Sequence, residues 1–106
     1  ASREDVALRL IVTSSGSDAV RVGQQFEVHQ RCTIGRRTEL AVSLDDGHLS
    51  ARHAELAPRA GTWFLRDLGS TNGTRLNGAP VESELRVAPG DFIELGSVTL
   101  QIAKSS

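Results

Sequence analysis

The sequence predicts an all-β fold, and a β-sandwich in particular. Short segments in which apolar and polar residues alternate recur at a spacing of roughly 8–12 residues, and Gly-rich turn sequences separate them. No segment of twelve residues keeps the apolar stripe of an amphipathic helix. Because a sandwich gathers its loops at the two ends of its sheets, loops that are distant in sequence can form one site.

Five strands are predicted in the first half of the chain. In the first of them, Leu8, Leu10 and Val12 alternate with other side chains, as in a strand that buries one face. Four shorter segments of the same kind follow, at residues 25–29, 32–35, 42–44 and 53–57. Pro58 is expected to end the last of these strands, because proline has no N–H to donate to a sheet.

The second half begins with a predicted central strand. Residues 62–67 carry Trp63 and Leu65 on one face and Phe64 on the other, so that both faces are apolar near the start. Further short strands are predicted at residues 74–76, around Val81, and at residues 85–87, 92–95 and 98–102. Gly-containing turns separate the last three strands.

A polar loop at residues 67–78 interrupts this apolar, strand-like sequence. It contains two Asn-Gly pairs, which are typical of a tight turn between two strands. Gly69 and Gly73 bound a segment that can hold a specific conformation without buried apolar support. A turn alone does not need so many polar groups, so this loop is also predicted to bind a polar ligand. The side chains concerned are Ser70, Thr71, Asn72 and Thr74.

Length and composition fit one domain over residues 1–106, with a core at about residues 8–102 and frayed ends. The 12 Lys and Arg residues nearly balance the 13 Asp and Glu residues, so the net charge of −1 provides no general attraction to nucleic acid or an anionic membrane. No segment resembles a membrane span or a signal peptide. Any anion site must therefore be local.

The single cysteine and the first residue indicate the cellular compartment and the size of the whole protein. Cys32 is predicted to be a core residue, and one cysteine cannot form an internal disulfide. An intracellular location, cytoplasmic or nuclear, is therefore expected rather than secretion. Because residue 1 is not Met, the chain is expected to be part of a larger multidomain protein. The domain itself is expected to be monomeric.

Three polar loops hold the candidate binding residues, at residues 35–38, 48–53 and 69–77. Arg36 offers a planar fork of donors, Ser50 a hydroxyl and a backbone N–H, and Arg52 a second positive charge. Each has an ordinary explanation alone, since an Arg in a turn is usually solvated and a Ser before a strand usually caps its own backbone. Together with Thr71 and Asn72 they match one anionic ligand, such as a phosphoryl group.

The same loops resemble a known family. Gly35-Arg36, Ser50-Ala51-Arg52-His53-Ala54 and the segment at residues 67–74, followed by Asn77-Gly78, are similar to the motifs of the forkhead-associated (FHA) domain, a phosphothreonine-binding module. The resemblance covers about residues 8–102. It implies a β-sandwich of about eleven short, mainly antiparallel strands, with loops at one end that bind a phosphothreonine-containing protein or peptide. It implies neither catalysis nor a cofactor.

The resemblance also assigns roles to individual residues. Arg36 matches the family's arginine that contacts phosphate, Ser50 its phosphate-binding serine, and Thr71 a position that contributes to the phosphate pocket. Asn72 matches the asparagine that binds the ligand's main chain, and Arg52 a position that is often basic. The residue after Ser50 has a polar, phosphate-binding side chain in some members, whereas here it is alanine, so that contact is missing.

Other positions are assigned supporting roles. Gly35 and His53 match scaffold positions, with His53 bracing the loops by hydrogen bonds. In the family, side chains near the loops often select the third residue after the phosphothreonine. The candidates for that selection in this sequence are Arg37, His48 and Arg75.

Three rival functions are weighed against this interpretation. Ser50 and His53 with an Asp are the residue types of a hydrolytic triad, but on an extended segment positions three apart face opposite ways. The histidines and Cys32 lack a short metal-ligand pairing. Nucleic acid would need exposed aromatic residues for stacking, and the few present fit the core. A general phosphate-binding or nucleic-acid-binding surface, or a degenerate interaction domain without phospho-dependence, stays open as an alternative.

Overall fold

The computed structural model describes residues 7–104, and it confirms the all-β prediction: this range contains eleven strands and no helix. Consequently, no helix of the described residues is long and apolar enough to cross a membrane. The strands are β1 Leu8–Ser15, β2 Gln25–Val28, β3 Cys32–Gly35, β4 Val42–Ser43, β5 Ala54–Arg59, β6 Thr62–Asp67, β7 Thr74–Leu76, β8 Ala79–Pro80, β9 Leu85–Val87, β10 Phe92–Leu95 and β11 Val98–Lys104.

Two sheets pack face to face. One has six strands in the order β2-β1-β11-β10-β7-β8, and the other has five in the order β4-β3-β5-β6-β9. All neighbouring pairs with a described register are antiparallel except β3 and β4, which are parallel. The predicted sandwich of mainly antiparallel strands is therefore confirmed.

The core lies between the sheets and follows the alternation of the sequence. Leu8, Leu10 and Val12 of β1 point inward and are buried, as are Trp63 and Leu65 of β6. Burial of each such side chain contributes roughly 1.5–3 kcal/mol. This core is a rigid base on which the loops between the strands are held.

Two details of the strand prediction were wrong. Strand β5 continues through Pro58, which lies opposite Trp63 of β6, instead of ending before it. The reason is that β3 pairs with β5 only as far as Leu56, so on that side Pro58 has no neighbouring strand that needs its missing N–H. The strand expected around Val81 is instead β8, which ends one residue earlier.

Antiparallel pairing brings several strand ends to one end of the sandwich. Ala54, at the start of β5, is paired with Ile34 near the end of β3 and with Asp67 at the end of β6. In the other sheet, Thr74 at the start of β7 is paired with Leu95 at the end of β10. We call this end, with the connections at residues 36–41, 44–53 and 68–73 and the turn at 96–97, the loop pole. The opposite end, with the turns at residues 60–61, 77–78 and 88–91, is the far pole.

Candidate functional site

At the loop pole, the first polar loop packs directly on the second. The Arg36 N–H donates to the Ser50 carbonyl (3.1 Å), and the Arg37 N–H donates to the Ala51 carbonyl (3.4 Å). A Cβ atom on Gly35 would lie 2.3 Å from the Ala51 oxygen, far inside any contact distance. Glycine at position 35 is therefore what lets the backbones meet and sets Arg36 beside Ser50.

His53 joins the second loop to the third. Its side chain is fully buried, its Nδ1 lies 3.1 Å from the Ser50 backbone nitrogen, and its Nε2 lies 2.8 Å from the Gly73 carbonyl oxygen. An amide N–H can only donate and a carbonyl can only accept, so Nδ1 accepts and Nε2 carries the proton. The imidazole is thus a neutral bridge between two loops.

This geometry corrects two expectations about Ser50. Its backbone N–H is bonded to His53 and is not free for a ligand. The expectation that His53 points away from Ser50 was wrong, because residues 51 and 52 bend and bring the ring back onto the Ser50 backbone. The ring still cannot act as a base for the hydroxyl, since Nδ1 is occupied by the backbone N–H and Nε2 faces Gly73.

The Ser50 side chain is held in place by the third loop. Its Oγ accepts the Thr71 backbone N–H at 3.0 Å. No described residue accepts the Ser50 O–H in return, so that hydroxyl can donate outward.

Asn72 is held from the second loop. Its Nδ2 donates to the His48 carbonyl at 2.7 Å, while the side chain remains exposed. The Oδ1 acceptor and the second amide N–H have no partner among the described residues. Asn72 therefore has a fixed orientation and groups left over for a ligand.

Asp67 holds the third loop from within. Its Oδ2 accepts the backbone N–H groups of Gly69 and Ser70, and its Oδ1 accepts the hydroxyls of Ser70 and Thr74 at 2.6 Å each. Burial raises the pKa of Asp67, but these hydrogen bonds outweigh burial and lower the pKa below its usual range. Of the four polar side chains in this loop, Ser70 and Thr74 thus serve the loop itself, and only Thr71 and Asn72 face outward.

Gly69 and Gly73 bound the turn that Asp67 holds. Both have positive φ angles, 74° and 82°, in the left-handed region that glycine adopts without strain. The Gly73 N–H also donates to the Ser70 hydroxyl at 3.0 Å. The third loop is accordingly fixed by its own backbone and polar groups rather than by apolar packing.

A surface cavity of about 390 Å³ opens between the three loops. Its lining includes Arg36, His48, Ser50, Ala51, Thr71 and Asn72. Four of the five predicted ligand-binding residues therefore surround one space, in which Arg36 is the cationic group. The fifth, Arg52, does not line this cavity, and its part in binding stays a prediction.

The three residues predicted to select the peptide sequence around the phosphothreonine do not line one common cavity. Arg37 pairs with the Glu39 carboxylate. The pKa of Glu39 is lowered by a hydrogen bond from its own backbone and then by Arg37, with a smaller contribution from Arg52. Arg75 donates to the Gly78 carbonyl (3.2 Å) and lines a separate cavity of about 260 Å³ that also touches Asn72. His48 alone of the three lines the main cavity.

Sequence reasoning did not single out Asp46. Its side chain is 3% exposed, although it lies between two exposed residues. Burial raises the pKa of Asp46, but hydrogen bonds from Ser97 and His48 outweigh burial and lower the pKa to about 2. The only local signal was the Asp-Asp-Gly sequence, because Ser97 is 51 residues away in the chain.

The described residues offer no metal site, since no three His, Cys, Asp or Glu side chains in the range 7–104 are grouped to hold an ion. Cys32 is buried, and burial is the main cause that raises the pKa of its thiol to about 11. It is thus a core residue, as predicted, and not a reactive one.

Comparison with known proteins identifies the family. The FHA domain family matches residues 32–96, which include all three loops. The chain belongs to the FHA family. The FhaB protein of Mycolicibacterium smegmatis is 35% identical to this FHA domain over 100 residues, covering 94% of this chain and 63% of FhaB. The chain therefore spans less than two thirds of the length of that relative.

Other relatives carry regulatory names. The glycogen accumulation regulator GarA of the same species is 37% identical over 86% of this chain and 56% of its own length. Among solved structures, an FHA domain studied for phosphothreonine-dependent interactions superposes with a TM-score of 0.80 at 32% identity, covering 94% of this chain and 98% of the other. The FhaA FHA domain, solved in complex with the intracellular domain of another protein, gives a TM-score of 0.76 at 32% identity, with 90% and 98% covered. This FHA domain is accordingly a non-catalytic module for interaction with proteins.

Proposed function

We propose that this FHA domain binds phosphothreonine in partner proteins and that the cavity at the loop pole receives the phosphoryl group. The observation that carries the proposal is that Arg36, the Ser50 hydroxyl and the Asn72 amide face one cavity with hydrogen-bonding capacity that no described residue uses. A polar surface that bonded only to itself would leave no such capacity.

The chemistry of the cavity fits a phosphoryl group. Such a group carries about −1.5 to −2 charges at pH 7 and has three acceptor oxygens. Arg36 supplies positive charge and paired donors, and the hydroxyls of Ser50 and Thr71 supply single donors. The His53 bridge and the Asp67 hydrogen bonds keep these groups in place before the ligand arrives, which reduces the ordering cost of binding.

Asn72 is suited to bind the peptide main chain. Its Nδ2 is anchored to the His48 carbonyl, so its Oδ1 can accept a peptide N–H while its second amide hydrogen can donate to a peptide carbonyl. A contact of this kind is independent of sequence. It fixes the position of the peptide relative to the phosphoryl group.

Several further features are part of the proposal. We expect residues 1–106 to act as one monomeric domain of a larger protein, since the FhaB relative is longer than this chain. Arg52, which lies outside the cavity, is proposed to add positive charge near its rim. Selection of flanking residues is assigned to His48 and Arg75, with Arg37 as a weaker candidate because Glu39 already pairs with it. A reducing compartment stays a prediction.

The direct test compares matched peptides that carry phosphothreonine, phosphoserine or plain threonine, together with inorganic phosphate. We expect a Kd near 1 μM, about −8 kcal/mol, for the phosphothreonine peptide and no measurable binding of the plain one. Equal binding of the first and third peptides would show an interaction domain without phospho-dependence. Competition by inorganic phosphate at a concentration similar to that of the phosphothreonine peptide would show a general phosphate site.

A further inference from the structure

Asp46 lies behind the cavity and does not line it, yet its carboxylate bonds to two separate parts of the loop pole. Its Oδ2 accepts the Ser97 backbone N–H at 2.9 Å and the Ser97 hydroxyl at 2.6 Å. Its Oδ1 accepts the His48 backbone N–H at 3.1 Å and lies 3.1 Å from His48 Nδ1. The carboxylate therefore ties the turn between β10 and β11 to the loop that precedes β5.

The same two segments are also in close contact beside the carboxylate. Gly96 has a φ angle of 56°, and a Cβ atom there would lie 2.7 Å from Leu49 Cδ1 and 3.0 Å from His48 Cβ. The Leu49 backbone N–H in turn donates to the Asp46 carbonyl at 2.9 Å. Little room is left in which the backbone of His48 could move as long as these contacts hold.

The backbone of His48 connects Asp46 to Asn72, which lines the cavity. Asp46 holds its N–H, and its carbonyl accepts Nδ2 of Asn72 at 2.7 Å. This is the one hydrogen bond that the Asn72 side chain makes among the described residues. The orientation of that amide therefore depends on where the His48 carbonyl lies.

We propose that Asp46 is a positioning residue for the Asn72 amide, acting through the backbone of His48 and anchored on Ser97. The proposal rests on the proposed function, because it assigns Asp46 to the binding of the peptide main chain. Asp67 has a different part: its described hydrogen bonds lie within residues 67–74 and do not reach His48.

Charge and position predict opposite effects for Asp46, which makes the proposal testable. A carboxylate close to an anionic ligand repels it, so on charge alone Asp46→Asn should strengthen binding. In Asp46→Asn one acceptor oxygen becomes an NH₂ group, which cannot accept from Ser97 or from the His48 N–H. If position dominates, binding of the phosphothreonine peptide should weaken by about tenfold.

A double-mutant cycle separates positioning from general destabilisation. The tenfold loss should shrink to less than about twofold in an Asn72→Ala background, where no amide remains to be oriented, and should persist in an Arg36→Lys background. Asp91→Asn is the matched control, because Asp91 also bridges backbone and side-chain donors, Ala88 N and Asn77 Nδ2, but at the far pole. Its affinity should stay within about twofold of wild type.

The NMR signals of the Asn72 side-chain amide provide a readout that needs no peptide. In the free protein they should shift in Asp46→Asn and not in Asp91→Asn. If wild type fails to bind any phosphopeptide while these signals still shift, the proposed function fails and the positioning role stands.

The proposal is overturned if Asp46→Asn binds as tightly as wild type, or if its loss is equally large in the Asn72→Ala background. Unchanged Asn72 amide signals would overturn it as well. Should Asp46→Asn lose its folded spectrum, Ser97→Ala takes its place in the same cycle. That variant keeps the backbone bond to Asp46 and removes two bonds of the hydroxyl, the 2.6 Å bond to Asp46 and the 3.2 Å bond from the Gly16 N–H. We expect about a threefold loss with the same dependence on Asn72.

Discussion

The two ends of the sandwich use polar residues in different ways. At the far pole, Asp91 accepts the Ala88 N–H at 2.8 Å and the Asn77 amide at 3.2 Å, and Asn77 Oδ1 in turn accepts the Phe92 N–H. These hydrogen bonds close the turns, and both side chains, Asp91 and Asn77, are engaged within the turns. The cavity of about 360 Å³ at that pole is lined largely by apolar groups, among them Trp63 and Val87.

At the loop pole the buried polar groups are also all hydrogen-bonded, but some exposed donors and acceptors have no partner among the described residues. Throughout residues 7–104 no buried side-chain nitrogen or oxygen lacks a hydrogen-bond partner. Asp46, His53 and Asp67 satisfy the backbone of three loops, and the Arg36 guanidinium, the Ser50 O–H and part of the Asn72 amide then remain for a ligand. A binding site is therefore recognised by hydrogen-bonding capacity left unused on a framework whose own groups are satisfied, rather than by the number of polar residues.

The largest expected effect comes from removing Arg36, the arginine that lines the cavity at the loop pole. Arg36→Ala should weaken binding of a phosphothreonine peptide by roughly 2–5 kcal/mol, because the phosphoryl group loses a charge-assisted contact. Arg86→Ala is the matched control, since Arg86 is exposed and lines the far-pole cavity. Calorimetry should show its affinity unchanged, and equal losses in the two variants would mean that general charge attraction, and not a site, drives binding.

A methyl group at Gly35 should disturb the framework itself. Gly35→Ala places Cβ against the Ala51 carbonyl, and an overpacked contact of this kind costs up to about 3 kcal/mol in the free energy of unfolding. At Gly47, in the same pole, a Cβ atom would meet nothing within 4 Å. Denaturant unfolding of Gly35→Ala and Gly47→Ala therefore tests the contact, and a Gly35→Ala protein as stable as Gly47→Ala would show that the two loops need not touch.

Acid should destabilise the loop pole through Asp46. Its folded-state pKa of about 2 lies below the usual value, so its contribution to stability is present above about pH 4 and is lost as the pH falls toward 2. The shift corresponds to about 2 kcal/mol. Asp46→Asn should flatten the fall in unfolding free energy between pH 4 and 2 by about that amount, although Asp67, whose pKa is also lowered, keeps part of the slope. Asp91→Asn, in which Asp46 is intact, should retain the contribution that Asp46→Asn loses.

The smallest effect concerns the threonine methyl group. A phosphothreonine peptide should bind about 1 kcal/mol, or roughly fivefold, more tightly than its phosphoserine counterpart, because a methyl group gains from an apolar contact. Charge and hydrogen bonding are nearly the same in the two ligands. An affinity ratio within twofold, measured at one salt concentration, would leave a phosphate site without preference for threonine.

Much of the fold could be predicted because strand periodicity is local. Strand β6 has the bounds that the alternation around Trp63 and Leu65 predicted, and β3 and β10 agree as well. Pro58 was misread because its tolerance depends on where the neighbouring strand β3 ends, which no local pattern shows.

The candidate site, like the fold, could be predicted only in part from the sequence. Motif resemblance pointed to Arg36, Ser50, Thr71 and Asn72, which the fold brings to one cavity. It did not show that the Ser50 backbone N–H donates to His53, or that Asp46 accepts a hydrogen bond from Ser97. The first depends on a local bend at residues 51 and 52 that strand periodicity does not show, and the second on a residue 51 positions away in the chain.

Ligand binding at the loop pole that requires phosphorylation is the main expectation for this FHA domain. Its most direct test is an NMR titration of backbone and side-chain amides with a phosphothreonine peptide and with the same peptide unphosphorylated. We predict that the phosphorylated peptide shifts the signals of Arg36, Ser50, Thr71 and Asn72, leaves those of Trp63 and Asn77 at the far pole unchanged, and that the plain peptide shifts none. Equal shifts from both peptides, or shifts centred on the far pole, would contradict the account.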